Sequence, residues 1–508
     1  MATAATVPGV PEMPGGLRLP RLPLIIGTLA MGLGVTAALY YSRLGLTLSH
    51  YDAKAHLVVS RRILDSLTPG WEQIGAVWLP LPHLINMLPV QIDFFYRTGL
   101  FAIGVSILSH ALAATSIAAT VLALTSSRAG AALAATLFAT NANILYLQST
   151  PMTEPLLFGL TTLQVFLVTR WVLAGQLRVP VAAGWVTVLA CLTRYEAWPI
   201  TAGCFAASAF AWWRRGHSLR FVLPVYARLA LYPLITVLTF VVFSRITVGE
   251  WFVSGGFFVP DETLRGQPVA VFTNIVDGVE LLAGAWLLRF SLVALSAVTL
   301  VALWSAGRSP MLVPLSLFAA AALPLAAYLA GHPFRIRYEI PLVMAGAVSV
   351  GLATGLLRRL APVVALGVLA FVLDESRPFD QSAAMIREAQ LDQQTQPRAL
   401  VTACLQARYR GGAIMMSMGA LGHYMHEMSA SGFDIRDFLH EGNGPIWDSA
   451  FTRGPAPLVE WVMVEEEAEG GDAIVQRHRQ LPRLLEDYTK VCSGGNVSLY
   501  HRVRNQGS

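Results

Sequence analysis

"LSHYDAKAHLVVSRRILDSLTPGWEQIGAVWLPLPH", residues 48–83, stands between two long apolar runs. It carries Asp52, Lys54, His56, Arg61, Arg62, Asp65, Glu72 and His83. The chain around it is greasy: 55% of its 508 residues are hydrophobic and 13% are charged. A soluble domain carries about a quarter charged residues. Half that fraction over this length marks a chain that crosses a membrane many times. The quoted stretch then joins the first two spans, and its charge needs a reason.

A helix crosses the bilayer core in roughly 20 apolar residues. Working outward, runs of that kind lie at 22–42, 98–125, 129–148, 155–171, 181–192, 197–213, 221–243, 282–305, 311–330, 340–357 and 361–373. The predicted fold is a polytopic α-helical membrane protein of about eleven transmembrane helices with a C-terminal soluble α/β domain. Residues 1–20, rich in Pro and Gly, read as a disordered cytoplasmic tail. Residues 21–373 read as the transmembrane domain, with a first outer loop at 44–97 and a long outer loop at 245–281. Residues 374–508 read as the extracytoplasmic domain, because charge returns abruptly at Asp374. Within it "GGAIMMSMG", "LVEWVMVEE" and "NVSLYHRV" predict strands. "QLPRLLEDYTKV" predicts a short helix.

Basic residues set the orientation. With the N-terminus cytoplasmic, the inner turns hold Arg18, Arg21, Arg128, Arg170, Arg178, Arg214, Arg215, Arg220, Arg308, Arg358 and Arg359. The positive-inside rule then fits every turn, while the carboxylates gather outside. The net charge of +5 belongs to these turns, and nothing in the chain resembles a nucleic-acid-binding module. The Lys-poor, Arg- and Ala-rich composition leans towards a bacterial plasma membrane. Cys404 and Cys492 either pair in an oxidising compartment or remain two thiols. No internal repeat is visible, which weighs against a transporter built from inverted halves.

The first outer loop reads as a surface helix capped by Ser49 and starting near Tyr51. Asp52 and His56, four apart, share one face of it. Trp71 and Trp78 read as interfacial anchors. Three other outer segments add charge at membrane depth. "STPMTEPLLFG" places Glu154, "LTRYEAWP" places Arg194, Tyr195 and Glu196, and "GHPFRIRYEIPL" places Arg335, Arg337 and Tyr338. Ionisable groups there are costly, so they are functional candidates. The plain alternative is that each merely ends a helix. With His56, Arg61 and His83 they form the candidate substrate-binding set. Asp52 and Glu154 are the candidate catalytic carboxylates. "GEWFVSGGFFVPDETLRGQP" has the Gly and aromatic content of either a lid or an ordinary connector. "HYMHE", with His423, His426 and Glu427, reads as a solvated helix face before it reads as a zinc site.

"YDAKAH", the following "R…D…PG…G…WLPL", then "MTEP", "TRYEAW" and "RIRYEIPL" resemble the membrane glycosyltransferases of the GT-C fold. The likeness is to users of polyprenyl-phosphate sugars, including protein O-mannosyltransferases and lipid A aminoarabinose transferases. It spans most of residues 20–373. The resemblance implies an inverting glycosyltransferase that moves a sugar from a polyprenyl-phosphate donor to a lipid, glycan or protein acceptor on the outer side of the membrane. It implies that Asp52 is the general base and that Arg335 and Arg337 hold the phosphate. Many family members carry a second carboxylate directly after that Asp; Ala53 stands there in this chain, which leaves Glu154 as a partner or substitute. No cofactor is implied. Asp52, His56 and Glu154 would be the ligands if a divalent metal were used, but no compact ligand motif is present. The competing readings are a transporter or flippase of a lipid-linked sugar and a non-catalytic scaffold. A transporter needs charged groups inside several spans, whereas this chain keeps them at one end.

Overall fold

The computed structural model describes residues 20–176, 178–253, 261–393, 396–468 and 471–503. The expected tail at 1–20 lies outside the described residues apart from Pro20, as does "SGGFFVP", 254–260, in the expected lid. Each of the eleven apolar runs is helical, but not each is one long helix. Among the described residues, seven helices are long and apolar enough to cross a membrane. They are Arg21–Arg43 (α1), Leu100–Thr125, Glu154–Ala174, Leu219–Val248, Ala285–Trp304, Ala306–Leu329 and Ile336–Leu356. The run at 129–148 breaks at Thr140 and Asn141, whose side chain caps the next helix by accepting from Asn143 and Ile144 N–H. Val181–Cys191 and Ala361–Glu375 are helices of 11 and 15 residues. The chain is thus an integral membrane protein.

Lipid tails give helices no hydrophobic reason to associate, so close packing does it. On α1, Gly27, Ala30, Gly34 and Ala37 are buried along one face. A Cβ at Gly27 would lie 2.0 Å from Thr115 Oγ1. Such a stripe lets α1 sit tightly on Leu100–Thr125. Ile336–Leu356 is 89% buried along its apolar window and forms the centre of the bundle, whereas Leu219–Val248, at 22%, turns most of its surface outward.

The long outer loop is shorter than expected. Leu219–Val248 extends into it from one side and a helix at Pro268–Ala283 fills the other. Proline at the first turn starts that second helix, since its missing N–H would have no partner there.

The first outer loop departs most from expectation. Tyr51–Arg62 (α2) is helical, but it is not an exposed surface helix. Every residue from Asp52 to Arg62 is buried. Its cap is His50, whose imidazole accepts the Asp52 N–H at 3.2 Å, and Ser49 instead donates to the Gly45 carbonyl. Asp52 in the first turn and Arg61 and Arg62 in the last suit the helix dipole. Trp71 is exposed as an anchor would be, but Trp78 turns inward onto His56, 4.2 Å between rings.

The tail and the rest of the first loop bury α2 between them. After the last apolar helix, Ala384–Asp392 (α3) docks on the bundle, with Met385 N–H donating to Asn143 Oδ1 at 2.9 Å. A five-stranded sheet follows in the order β2-β1-β3-β5-β4. Its strands are β1 (Ile414–Met415), β2 (Phe438–Leu439), β3 (Trp461–Glu465), β4 (Tyr488–Gly494) and β5 (Val497–Arg502). β1 runs parallel to β2 and β3; β5 runs antiparallel to β3 and β4. The helix expected in "QLPRLLEDYTKV" is only a 3-10 turn at Pro482–Leu485, and Tyr488 onwards is β4. Cross-strand pairing with β5 overrides the local helical pattern. Cys404 and Cys492 form a disulfide that ties the helix Gln396–Arg408 to β4.

Met418–Met428 (α4) packs directly on α2. The "HYMHE" face is therefore buried and not solvated. Lys54 Nζ meets Glu427 Oε1 at 2.6 Å, and Arg398 holds the same oxygen at 3.0 Å. His423 lies against Tyr51, and a His426 ring nitrogen is 2.9 Å from the Tyr96 carbonyl. Burial, then Arg398, pulls His423 down to about 3, Glu427 opposing and Lys54 adding to the effect; burial pulls His426 down to about 4. An unfolded histidine titrates near 6.5, so between those values the unfolded chain binds more protons. Stability at this seam is complete above about pH 6.5 and falls as pH drops. Going from pH 7 to pH 5 is expected to cost about 2 kcal/mol per histidine. Hydrogen exchange in α4 measures it; equal protection at both pH values would refute the assignment.

Candidate active site

The charged ends of several helices converge beside α2. Glu154 is the first residue of its helix, Glu196 precedes Ala197–Arg214, and Arg337 lies in the 3-10 turn that opens Ile340–Leu356. Arg337 Nη1 pairs with Asp52 Oδ2. Arg194 bridges two glutamates, with Nη1 2.9 Å from Glu154 Oε1 and Nη2 2.7 Å from Glu196 Oε1. It also donates to Thr153 Oγ1 at 3.0 Å. Both Glu154 oxygens lack an aligned hydrogen bond although Glu154 is fully buried, so the ion pair alone holds it. Arg337 feels Glu154 as well as Asp52, which makes the two clusters one electrostatic unit.

Burial raises the proton affinity of Asp52. The guanidinium of Arg337, and after it His50, lower it by more, so the carboxyl is held well below the usual range. His50 is buried under α2, with Nε2 3.3 Å from Glu388 Oε1 on α3. This makes a chain of charge from Glu388 through His50 to Asp52 and Arg337. His56 Nδ1 lies 3.1 Å from His83 Nε2, with Trp78 against both rings. Burial keeps both imidazoles neutral, His83 down at about 3.

No protein-family model and no curated protein matches the chain. Among solved structures it is similar to ArnT from Cupriavidus metallidurans bound to undecaprenyl phosphate. The two share 12% identity with a TM-score of 0.55, over 94% of this chain and 98% of that one. This chain has the GT-C fold. It is also similar to the archaeal oligosaccharyltransferase AglB from Archaeoglobus fulgidus, in complex with an inhibitory peptide and a dolichol-phosphate. That match has 12% identity and a TM-score of 0.47, over 95% of this chain and 74% of that one.

On this GT-C fold the sequence-derived candidates separate into groups. Asp52, Glu154, Arg194, Glu196 and Arg337 come together. His56 and His83 pair one turn further along α2. Tyr338 has the Arg337 guanidinium over its ring at 5.8 Å. The Arg335 N–H donates to the Tyr328 hydroxyl, which bonds Glu339 at 2.9 Å. Tyr195 donates to the Ala76 carbonyl at 3.1 Å and packs on Trp198, holding the first loop down. Arg61 turns away from the cluster: it pairs with Asp65 at 2.9 Å, Asp93 at 2.8 Å and Asp434 at 3.3 Å, and lies over Tyr96. Its work is to latch the tail onto the first loop. Asp52, His56 and Glu154 do not form one ligand set, since each is engaged by a different partner.

The sequence reading missed His50 and Glu388. "SHYD" places His50 at the cap of a predicted helix, a usable signal. Glu388 lies in "MIREAQLD", whose ordinary soluble composition gives none.

Proposed function

We propose that this GT-C protein transfers a sugar from a polyprenyl-phosphate carrier to an acceptor on the outer side of the membrane. The observation that carries the reading is the Asp52–Arg337 pair joined to Arg194, Glu154 and Glu196 at one end of the bundle. It is a carboxylate base beside two guanidiniums, which is what this reaction requires. The solved GT-C relative bound to undecaprenyl phosphate supports a long-chain carrier. The outward orientation is supported by the opposite helix ends. There Arg214 donates to Leu303 O at 2.7 Å and Arg215 to Val172 O, so basic residues cluster on one face. A disulfide in the tail suits an oxidising compartment.

In the resting site Asp52 occupies Arg337. The donor phosphate competes for that fork, because a planar guanidinium binds phosphate oxygens in pairs. Losing its cation raises the proton affinity of Asp52 and makes it a better base. The acceptor oxygen or nitrogen attacks the anomeric carbon while its proton passes to Asp52. The bond from that carbon to the phosphate oxygen breaks, and the electron pair leaves on polyprenyl phosphate. Arg337 and Arg194 neutralise the new charge, and the anomeric configuration inverts. Glu154 orients Arg194, and it is the substitute base if Asp52 is not the acceptor of the proton.

The experiment is transfer by the purified full chain from short-chain polyprenyl-phosphate sugars to lipid, glycan and peptide acceptors. One donor is expected to yield free polyprenyl phosphate and sugar-modified acceptor in equal amounts. Folded protein that turns over none of the panel would reject the reading.

A further inference from the structure

Arg62 differs from every other guanidinium packed on α2. It is 7% exposed, yet no carboxylate among the described residues lies within ion-pair distance of it. Its hydrogen bond runs from Nε to the Gln73 carbonyl at 2.5 Å. The neighbouring Arg61, by contrast, meets three aspartates. Both Nη groups of Arg62 are left to bind something else. Gly75, at φ 70°, supplies no side chain there; a Cβ would lie 3.4 Å from Arg62 Nη2.

The tail completes the place. Gln73 Nε2 donates to the Gly442 carbonyl at 2.7 Å and so joins the Arg62 loop to residues 440–443. His440 is fully buried, and its Nδ1 accepts the Gly442 N–H at 3.1 Å. The ring proton is therefore on Nε2, which is buried with no partner. Buried polar atoms are nearly always bonded, so an unpaired imidazole N–H within electrostatic reach of a guanidinium that no carboxylate pairs points to a missing ligand. Its chemistry follows from the donors: two guanidinium arms and an imidazole N–H take an oxyanion.

We infer that Arg62, His440 Nε2 and the gap at Gly75 form a second oxyanion site that takes the phosphodiester of a membrane lipid. Glu441 lies close enough for its charge to act on Arg62, while its two oxygens bond Ser417 and the Met418 N–H, both at 2.6 Å. That offset favours a singly charged diester over a doubly charged monoester. The same loop turns Leu64, Leu67, Trp71 and Val77 outward, all exposed. Those groups rest in a membrane boundary, where the abundant oxyanion is a headgroup phosphate. Ten residues of helix separate Arg62 from Asp52, about 15 Å, so this site is distinct from the Asp52–Arg337 cluster. It stands apart from the catalytic reading, because its test measures binding and no sugar transfer.

The test titrates the purified full chain, in maltoside detergent, with dihexanoyl phosphatidylglycerol and separately with inorganic phosphate, following the melting temperature. The lipid is expected to raise it saturably, and phosphate is not. Arg62→Gln should weaken the lipid about tenfold or more. Arg62→Lys keeps the charge but loses the fork, so it should fold and bind severalfold more weakly. It decides the matter if the glutamine variant does not fold. Equal lipid affinity in wild type and Arg62→Lys overturns the site, and so does the absence of saturable lipid binding. Inorganic phosphate binding as tightly as the lipid overturns the assignment to a lipid.

Discussion

Asp52→Asn is expected to abolish sugar transfer while tightening the binding of polyprenyl phosphate. The two effects have opposite signs because Asp52 has two jobs in the proposed mechanism. As a base it accepts a proton that asparagine cannot take, and losing it should cost about 10³-fold in turnover. As the resting partner of Arg337 it competes with the donor phosphate. Asparagine is the same size but carries no charge, so the guanidinium is released to the ligand, and affinity should rise several-fold, up to about tenfold or roughly 1.4 kcal/mol. A purely structural role would lower both. Turnover of the variant is read with the donor that the wild type accepts, and carrier binding by equilibrium titration. If transfer survives in Asp52→Asn and fails in Glu154→Gln, the base is Glu154. If both lose transfer and both bind carrier more weakly, the cluster is a structural support and the mechanism is wrong.

Much of this site was legible because membranes make charge expensive. Glu154 and Arg337 are tightly flanked by apolar residues, so each stood out alone, and Arg194 and Glu196 were readable as charges between two apolar runs. Their partners were not legible. Which carboxylate meets which guanidinium depends on how four chain segments, up to 285 positions apart (337 − 52), meet in space. Arg61, a substrate-binding candidate from the sequence, pairs with Asp65, Asp93 and Asp434. The burial of α2 was hidden for a related reason. The stretch read as a surface helix, since nothing in residues 48–83 tells that a soluble tail folds back over it. Glu388 was invisible because a glutamate in a polar helix carries no signal. In the fold, helix positions were readable from the apolar runs. Helix continuity was not: the breaks at Asn141 and Gly284 are single capping residues inside long apolar stretches. β4 was lost because its lead-in "QLPRLLEDY" has helical spacing, and only pairing with β5 decides it.

Several of these misses share a cause that bears on function. Those at α2, Glu388 and β4 concern the tail or what it covers. Lys54–Glu427–Arg398 on one side of α2 and Arg61–Asp65–Asp434 on the other bind the tail to the helix that carries Asp52. The first set and the Arg61–Asp65 pair are largely buried, where an ion pair is sensitive to the loss of either partner, while Asp434 is 41% exposed. The tail thus helps to fix the direction of the candidate base, and α2 is where the soluble and membrane parts of the chain become one structure.

Arg194→Gln is the substitution expected to cost most in stability. Its guanidinium neutralises two carboxylates, Glu154 and Glu196, that are 0% and 1% exposed. Removing the shared cation leaves both in a low-dielectric interior. Breaking a buried pair from one side costs about 3–5 kcal/mol, and here one cation serves two partners. Lysine cannot replace it well, because a single ammonium does not reach Glu154, Glu196 and Thr153 with the arginine's fork; Arg194→Lys should fall between. The control is Glu154→Gln with Glu196→Gln in the Arg194→Gln background. Removing the stranded charges should return the melting temperature most of the way, since buried ion networks are often replaceable by neutral groups at little net cost. Melting of the three variants in one detergent measures this. If Arg194→Gln alone melts with the wild type, the cluster is hydrated and its charges are screened. If the triple variant melts as low as the single, the loss came from packing, and Arg194 acts there as a spacer and not as a counter-ion.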